Sequence, residues 1–244
     1  MISSIIYGFF LALLSCCITL NYRIGRFLNL SYGSFFTLGA YISLLCKYET
    51  SLILSSVIGF LVGYLMYLTI LKFSEDIVDS TLISLGFGIA IEEILRITFR
   101  ATHVLLTGIE VEYVEILNEK VFVFDLYIFL LSLIFYIALS ITLLSSSGLK
   151  LKFAEEDCEL AEMYGVDVER LRMLVISGSS SIACLCGSIL SPMQAIHPAM
   201  GWSILVISIM ISAISSVFGG IGIRRYLCVL IVSVVYSVVL EVIF

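Results

Sequence analysis

The sequence predicts an all-α membrane protein, a polytopic bundle of about eight transmembrane helices. Three observations predict this class. Hydrophobic residues make up 61% of the 244 residues and charged residues only 13%, whereas about a quarter of the residues of a soluble domain are charged. The mean hydropathy is +1.15. Apolar stretches of about 20 residues recur along the chain with short polar loops between them.

Eight apolar stretches are long enough to cross a bilayer as helices. In chain order they are Ile2–Leu20, Phe27–Cys46, Ser51–Leu71, Thr81–Phe99, Val121–Leu144, Met173–Ser191, Trp202–Phe218 and Tyr226–Phe244. The first stretch has no basic residues before it, so we predict a retained helix and not a cleaved signal. The second begins with the polar letters NLSYGS, and we expect its helix to be broken or re-entrant there, facing protein or water.

The basic residues of the loops predict the orientation of the chain. Nine of the thirteen Lys and Arg residues fall in alternate loops, which then share one side of the membrane. These loops are 21–26, 72–80, 145–172 and 219–225. Because loops rich in Lys and Arg remain in the cytoplasm, we predict that these four loops are cytoplasmic and that both termini are outside.

Composition and motifs exclude several classes of function. The net charge of −6 argues against nucleic acid as a partner. No G-x-x-x-x-G-K-[ST] phosphate loop is present, so any energy from ATP must come from another polypeptide, and we predict no enzymatic activity, no catalytic residues and no bound cofactor in this chain. His103 and His197 lie far apart without nearby ligand residues, so no metal site is predicted. The spans leave no room for a soluble domain, and 1–244 is predicted to be a single membrane domain that includes the loop 145–172.

The longest charged stretch runs from Gly148 to Arg172 and reads GLKLKFAEEDCELAEMYGVDVERLR. It predicts a short amphipathic helix at 153–164, because acidic residues recur at i, i+4 and i+7 while small residues line another face. The acidic face comprises Glu155, Glu159 and Glu162, with Glu156 beside them. Gly165 is expected to end this helix in the left-handed conformation, and Asp167 to cap the next one. The helix is either an ordinary solvated loop helix or a docking element for a partner.

Three stretches resemble one family in the same order along the chain. The charged stretch is similar to the cytoplasmic loop of permease subunits of branched-chain amino-acid ABC importers, the LivH/LivM type. The residues that match in spacing are Gly148, Glu156, Asp157, Ala161, Gly165 and Val166. NLSYGSFFTLGAYIS resembles the family's Asn-hydrophobic-small-aromatic-Gly run, and SSVFGGIG resembles its Gly-Gly-Ile-Gly turn.

The chain also departs from the family pattern. Five acids lie between Glu155 and Glu162, where the family is usually richer in Arg before its acidic pair, so we expect a partner with a more basic groove. Members usually continue through one more hydrophobic segment, whereas this chain stops at VVLEVIF. We therefore expect a truncated or unusually short member.

The resemblance implies a multi-pass subunit of the bacterial cell (inner) membrane. In such importers two permease subunits, identical or paralogous, form the pathway for branched-chain or related amino acids. An extracytoplasmic solute-binding protein delivers the solute, and ATP-binding cassette subunits, which use the ATP, dock on a short cytoplasmic coupling helix. By this resemblance the coupling helix lies within 145–172. The implied residues of the ATPase-subunit interface are Glu155, Glu156, Asp157, Ala161 and Gly165.

Polar residues inside the predicted spans are candidates for the solute pathway, because such groups are costly in a bilayer. The candidates are Asn29, Ser31, Tyr32, Gly33, Glu92 and Arg96. The first four open the second span, where they either expose backbone groups to a solute or serve close helix packing. The last two are predicted to form an i, i+4 ion pair, which either lowers the cost of insertion or meets the ammonium and carboxylate groups of an amino acid.

Two other classes of function remain open on the sequence alone. A secondary transporter or channel would move a small amphiphilic solute without ATP or partner subunits. A membrane scaffold would use the charged stretch only as a docking surface. Besides branched-chain amino acids, the solute of an importer could be another amino acid, urea or a short amide.

Overall fold

A computed structural model of the chain describes residues 2–100, 103–106, 113–116, 119–218 and 222–243. The helices are α1 (Ile2–Leu20), α2 (Tyr32–Leu45), α3 (Tyr48–Phe73), α4 (Ile77–Phe99), α5 (Val123–Leu144), α6 (Ser146–Glu156), α7 (Cys158–Met163), α8 (Val168–Leu190), α9 (Gly201–Phe218) and α10 (Ile223–Ile243). A π-helical segment, Asn21–Gly25, continues α1, and two strands, β1 (Tyr113–Ile116) and β2 (Glu119–Phe122), precede α5.

Six of the described helices are long and apolar enough to cross a membrane. They are α1 with its π-helical extension, α3, α5, α8, α9 and α10. The chain is therefore a polytopic helical membrane protein, as predicted. The other two predicted spans correspond to α2, which has only 14 residues, and to α4, which contains Asp79, Glu92, Glu93 and Arg96. The total of eight spans stays a prediction.

The second predicted span is broken at its start, as its polar residues indicated. The helix begins at Tyr32 and not at Phe27, because the Asn29 side chain binds the backbone ahead of it. Asn29 Oδ1 accepts hydrogen bonds from Ser31 N at 3.0 Å and from Ser31 Oγ at 2.6 Å. This local turn competes with the helix and shortens it.

The helices gather into two compact units, and the predicted single domain remains a prediction. The first unit consists of Met1–Gly25, Tyr113–Val175 and Ile207–Phe244. The second consists of Arg26–Glu112 and Ile176–Val206.

In the first unit α1 is the central helix and packs against α5 and α10. Its side chains are buried nearly all round, as expected for an apolar helix enclosed by others. A Cβ at Gly8 would lie 2.8 Å from Val234 Cα, so the small residue allows α10 to approach closely. Polar groups are paired across the helices: Tyr136 Oη donates to the Ala12 carbonyl at 3.1 Å, and the Thr19 and Ser212 hydroxyls lie 2.8 Å apart.

In the second unit the buried helix α2 packs against α3 and α4 and meets the part of α8 that follows Ile176. Backbones touch at two glycines, because a Cβ at Gly39 would overlap the Cys184 carbonyl and a Cβ at Gly187 would overlap the Phe36 carbonyl. Such close approach is how helices associate where no hydrophobic effect drives them together.

Serine hydroxyls pair across the same contacts of the second unit. Ser43 Oγ donates to Ser191 Oγ at 2.6 Å, and the hydroxyls of Ser51 and Ser188 lie 3.1 Å apart. The hydroxyls of Ser56 and Ser181 are 2.9 Å apart. The small serine side chains thus allow the neighbouring helix to approach closely, and their hydroxyls hydrogen-bond across the contact.

Two short paired strands lie in the predicted loop before α5. Strands β1 and β2 pair antiparallel, with Tyr113 opposite Phe122 and Ile116 opposite Glu119. An isolated bridge in the second unit joins Val104 to Ile196. Gly219 and Gly220 of the stretch SSVFGGIG, which resembles the family's Gly-Gly-Ile-Gly turn, lie outside the described residues.

Candidate functional site

The charged segment 145–172 is folded as α6, α7 and the start of α8. The predicted helix at 153–164 is wrong as a single helix, because it is interrupted at Asp157. The backbone there is extended, and Asp157 Oδ1 accepts hydrogen bonds from Glu159 N at 3.0 Å and Leu160 N at 3.3 Å. Asp157 is therefore the N-cap of a new helix, a role for which Asp is among the preferred residues.

The end of α7 follows the prediction. Gly165 has a φ of +79°, and its N–H bonds the Glu162 carbonyl at 2.9 Å, while Val166 N bonds the Ala161 carbonyl at 3.0 Å. This pair of bonds is a Schellman motif. The next helix is capped as predicted, since Asp167 Oδ1 accepts from Arg170 N at 3.1 Å.

A small apolar cluster lies beneath the charged segment. Ala154, Ala161 and Val168 are buried, and Val166 and Leu171 pack against them. The cluster joins α6, α7 and the start of α8, so the segment has a core of its own and is more than a solvated loop helix.

Glu155 is also buried, which corrects the predicted acidic face. Its side chain is 1% exposed and forms an ion pair with Arg225 of α10, with Arg225 Nη1 3.1 Å from Glu155 Oε2. The Tyr226 hydroxyl donates to Glu155 Oε1. The helix break at Asp157 separates Glu155 from Glu159 and Glu162, so the three acids no longer share a face.

Four of the pathway candidates lie buried in the second unit. They are Asn29, Ser31, Tyr32 and Gly33. Gly33 touches the start of α9, because a Cβ there would lie 2.7 Å from the Gly201 carbonyl oxygen. Thr37 Oγ1 donates to the Gly33 carbonyl at 3.0 Å and accepts from Gly201 N at 3.2 Å. Gly33 therefore lies at a close contact between two helices, and its role in the solute pathway stays a prediction.

A polar row on α4 meets the start of α2 and brings Glu92 to it. The row consists of Ser80, Ser84, Gly88 and Glu92, four residues apart and all buried. Ser84 Oγ accepts from Leu30 N at 3.1 Å, and Ser34 Oγ donates to Glu92 Oε1 at 3.1 Å. A spacing of four residues places side chains on one face of a helix, so this polar face could have been predicted from the sequence.

The predicted Glu92–Arg96 pair is not formed. Arg96 Nη1 instead lies 2.6 Å from Glu93 Oε1, and both side chains are about half exposed at 46% and 49%. Glu92 is turned inward by its bond to Ser34, whereas Arg96 lies on the exposed side of α4. The structure thus separates the two charged candidates.

The two histidines, far apart in sequence, meet in the second unit. The ring centroids of His103 and His197 are 5.0 Å apart in an edge-on arrangement, beside the Val104–Ile196 bridge. Within the described residues no group of three His, Cys, Asp or Glu side chains could hold a metal ion.

Acid is expected to open this histidine contact. Burial, together with the charge of His103, lowers the pKa of His197, so the neutral imidazole stabilises the closed contact. That contribution is present above the ordinary pKa of about 6.5 and is lost as pH falls through the lowered value. Hydrogen exchange at the Val104 and Ile196 amides, corrected for intrinsic rates, should accelerate as pH falls below about 6.5. In His197→Gln the corrected rates should be independent of pH; an equal acceleration there would contradict the assignment.

Comparison with known proteins identifies the class of transporter. The family model for the branched-chain amino acid transport system permease component matches residues 1–244. The chain belongs to this permease family. The probable branched-chain amino acid transport permease protein LivH of Methanocaldococcus jannaschii is 29% identical over 238 residues, covering 86% of this chain and 71% of that protein. No solved structure matches the chain. The resemblance seen in the sequence is confirmed.

For this permease, the structure divides the five residues predicted at the ATPase-subunit interface. Glu156, Asp157 and Gly165 are exposed, whereas Glu155 and Ala161 are buried within the chain. Glu156, Asp157 and Gly165 can therefore contact a partner directly, through a side chain or through the backbone. The two buried residues are not accessible to a partner in this structure.

Sequence reasoning missed the apolar part of the exposed surface. Met163 and Tyr164, at the end of α7, are 87% and 75% exposed, and the Tyr164 ring stacks on Phe153 with centroids 6.1 Å apart. In the sequence, two large apolar residues next to a predicted helix end would have indicated this apolar surface. In this permease the charged segment presents an apolar tip flanked by acids.

Proposed function

We propose that this permease is the pathway-forming subunit of an ATP-driven importer for branched-chain or related amino acids in the bacterial cell (inner) membrane. It works with a second permease subunit, an extracytoplasmic solute-binding protein and separate ATPase subunits. The family match over the whole chain carries the proposal. The chain has no phosphate-binding loop, so ATP is bound by the partner.

The ATPase subunit docks, in this proposal, on the exposed surface of α6 and α7. Glu156 and Asp157 supply its acidic part, and the Met163–Tyr164 tip supplies its apolar part. A partner groove with basic walls and an apolar floor fits this surface, since charge complementarity directs docking and buried apolar anchors hold it.

The buried ion pair supports a mechanical role for the same segment. Glu155 joins α6 to the first turn of α10 through Arg225 and Tyr226. Movement of the docked segment is therefore passed to a membrane helix by a direct contact, as in other switches where a packed element moves as a body.

In this proposal the solute pathway lies at the start of α2, next to α4. Asn29 Nδ2 is buried without a hydrogen-bond partner among the described residues, and Glu92 has the Ser34 hydroxyl beside it. An amide donor and a carboxylate suit the carboxylate and ammonium groups of an amino acid. Arg96 faces the other side of α4, and we leave it out of the pathway.

The docking proposal predicts that Glu156→Lys combined with Asp157→Lys releases the ATPase subunit. Reversing two charges against a basic groove should reduce the co-purified ATPase at least ~10-fold, the effect of about 1.4 kcal/mol, and ATP-driven uptake into proteoliposomes should fall with it. Glu75→Lys is the matched control, because Glu75 is exposed in a loop on the same predicted side and should leave both measurements unchanged.

Two results would contradict this proposal. Undiminished ATPase co-purification with the double variant would place the docking surface elsewhere. Solute uptake by the purified permease alone, without ATP, would favour the stand-alone secondary transporter or channel.

A further inference from the structure

Helix α4 has a second face that the second unit leaves uncovered. Its buried face carries the polar row described above. The exposed side carries Gly86, Ala90, Glu93 and Ile97, which recur at i, i+4, i+7 and i+11 and therefore form one stripe along the helix.

Gly86 differs from Gly88 in its surroundings. A Cβ at Gly88 would lie 3.1 Å from Ser34 Oγ, whereas a Cβ at Gly86 would have no atom of the described residues within 4 Å. Gly86 and Ala90 form a small-x-x-x-small motif, which lets two membrane helices bring their backbones together. On this face the motif meets no helix of its own unit in the described part of the chain.

The same exposed side of α4 carries a charged pair, Glu93 and Arg96, that is poorly suited to lipid. Glu93 and Arg96 lie 2.6 Å apart with side chains 49% and 46% exposed, one turn beyond Ala90 on the predicted fourth span. Charged residues within membrane spans face protein or a water-filled cavity, because their exposure to hydrocarbon is costly. The Gly86–Arg96 face, defined by Gly86, Ala90, Glu93 and Arg96, therefore fits a protein surface.

We infer that the Gly86–Arg96 face packs against the same face of a second copy of this chain, α4 against α4. Adjacent opposite charges are self-complementary about a two-fold axis: Glu93 of each copy meets Arg96 of the other. The small motif beside them allows the close crossing that brings these side chains into reach. The proposed function requires two permease subunits and does not say which face joins them, so the inference goes beyond it.

The test is disulfide formation in native membranes. Ala90→Cys is made in a chain whose seven native cysteines are replaced by Ser or Ala, and the dimer is measured after mild oxidation. The control is Val57→Cys in α3, since Val57 and Ala90 are both exposed and lie equally far from the ends of their helices that are predicted to face outside. We expect a dimer with Ala90→Cys and several-fold less with Val57→Cys.

Charge exchange makes the test specific for the pair. Glu93→Arg alone and Arg96→Glu alone should each reduce the Ala90→Cys dimer several-fold, and the two together should restore it. Gly86→Leu should also reduce it, and because its surroundings are open the monomer should keep its elution profile in detergent.

Any of three outcomes would overturn the inference: equal dimer at both cysteine positions, no Ala90→Cys dimer from inserted protein, or disulfide bonding only to a different permease chain. The assay needs no ATPase subunit. Its failure is therefore distinguishable from the failure of the docking proposal, which Glu156→Lys with Asp157→Lys tests separately.

Discussion

Glu155→Leu should destabilise the first unit by about 3–5 kcal/mol, the usual effect of removing one partner from a buried ion pair. Arg225 would remain with its side chain 5% exposed and its counter-charge gone, and the Tyr226 hydroxyl would lose its acceptor. Unfolding of the purified protein in mixed micelles, followed by circular dichroism, measures the change. If the chain is the importer subunit proposed above, ATP hydrolysis should also become uncoupled from uptake, because the contact between α6 and α10 is lost.

Two further variants test the cause. Glu159→Leu removes an acid that is exposed in α7 and should change stability by less than about 0.5 kcal/mol. Glu155→Met together with Arg225→Met should recover most of the stability, since apolar residues of similar size can replace a buried ion pair, while leaving uptake impaired. Additive losses in the double variant would show that the two side chains do not act as a pair.

Gly187→Ala should be among the most damaging single-methyl changes in the second unit. The new Cβ would overlap the Phe36 carbonyl, which belongs to the backbone and cannot rotate away, so α2 and α8 must separate. Overpacking of this kind typically costs about 1–3 kcal/mol, and we expect a value at the upper end because a backbone must move. The yield of folded protein in detergent and its unfolding midpoint in mixed micelles measure the effect.

The same helix offers a matched control. Gly178→Ala introduces the same methyl group in α8, where none of the residues that the structure describes lies within 4 Å of the new atom. It should be neutral or stabilise the protein by roughly 0.5–1 kcal/mol, the helix preference of Ala over Gly. If the two variants unfolded alike, the close contact of α2 with α8 would be wrong.

The helices were largely predictable because hydropathy acts locally. Helix α1 occupies Ile2–Leu20 as predicted, since a long apolar run satisfies its backbone in lipid only as a helix. The caps at Gly165 and Asp167 were predictable for the same reason, because their hydrogen bonds span at most five residues. The family was predictable from motifs in order along the chain, which the match over 1–244 confirms.

The candidate site was predicted only in part. The region of the charged segment was visible in the sequence, but the break at Asp157 was not, because an Asp within an acidic helix face and an Asp that caps a new helix have the same local pattern. Likewise Glu92 and Arg96 matched an i, i+4 pair, whereas Ser34 of another helix draws Glu92 inward and Glu93 binds Arg96.

Local sequence patterns were enough to predict a helical membrane permease, the approximate bounds of most of its helices and the segment that carries its charge. Which polar residues are buried, and what they bind, depended on the three-dimensional fold. Glu155 finds Arg225 across 70 residues of chain, and Gly39 meets a carbonyl of another helix. Such contacts depend on how helices pack in three dimensions, and helix packing is set by many small contacts at once and not by any local pattern.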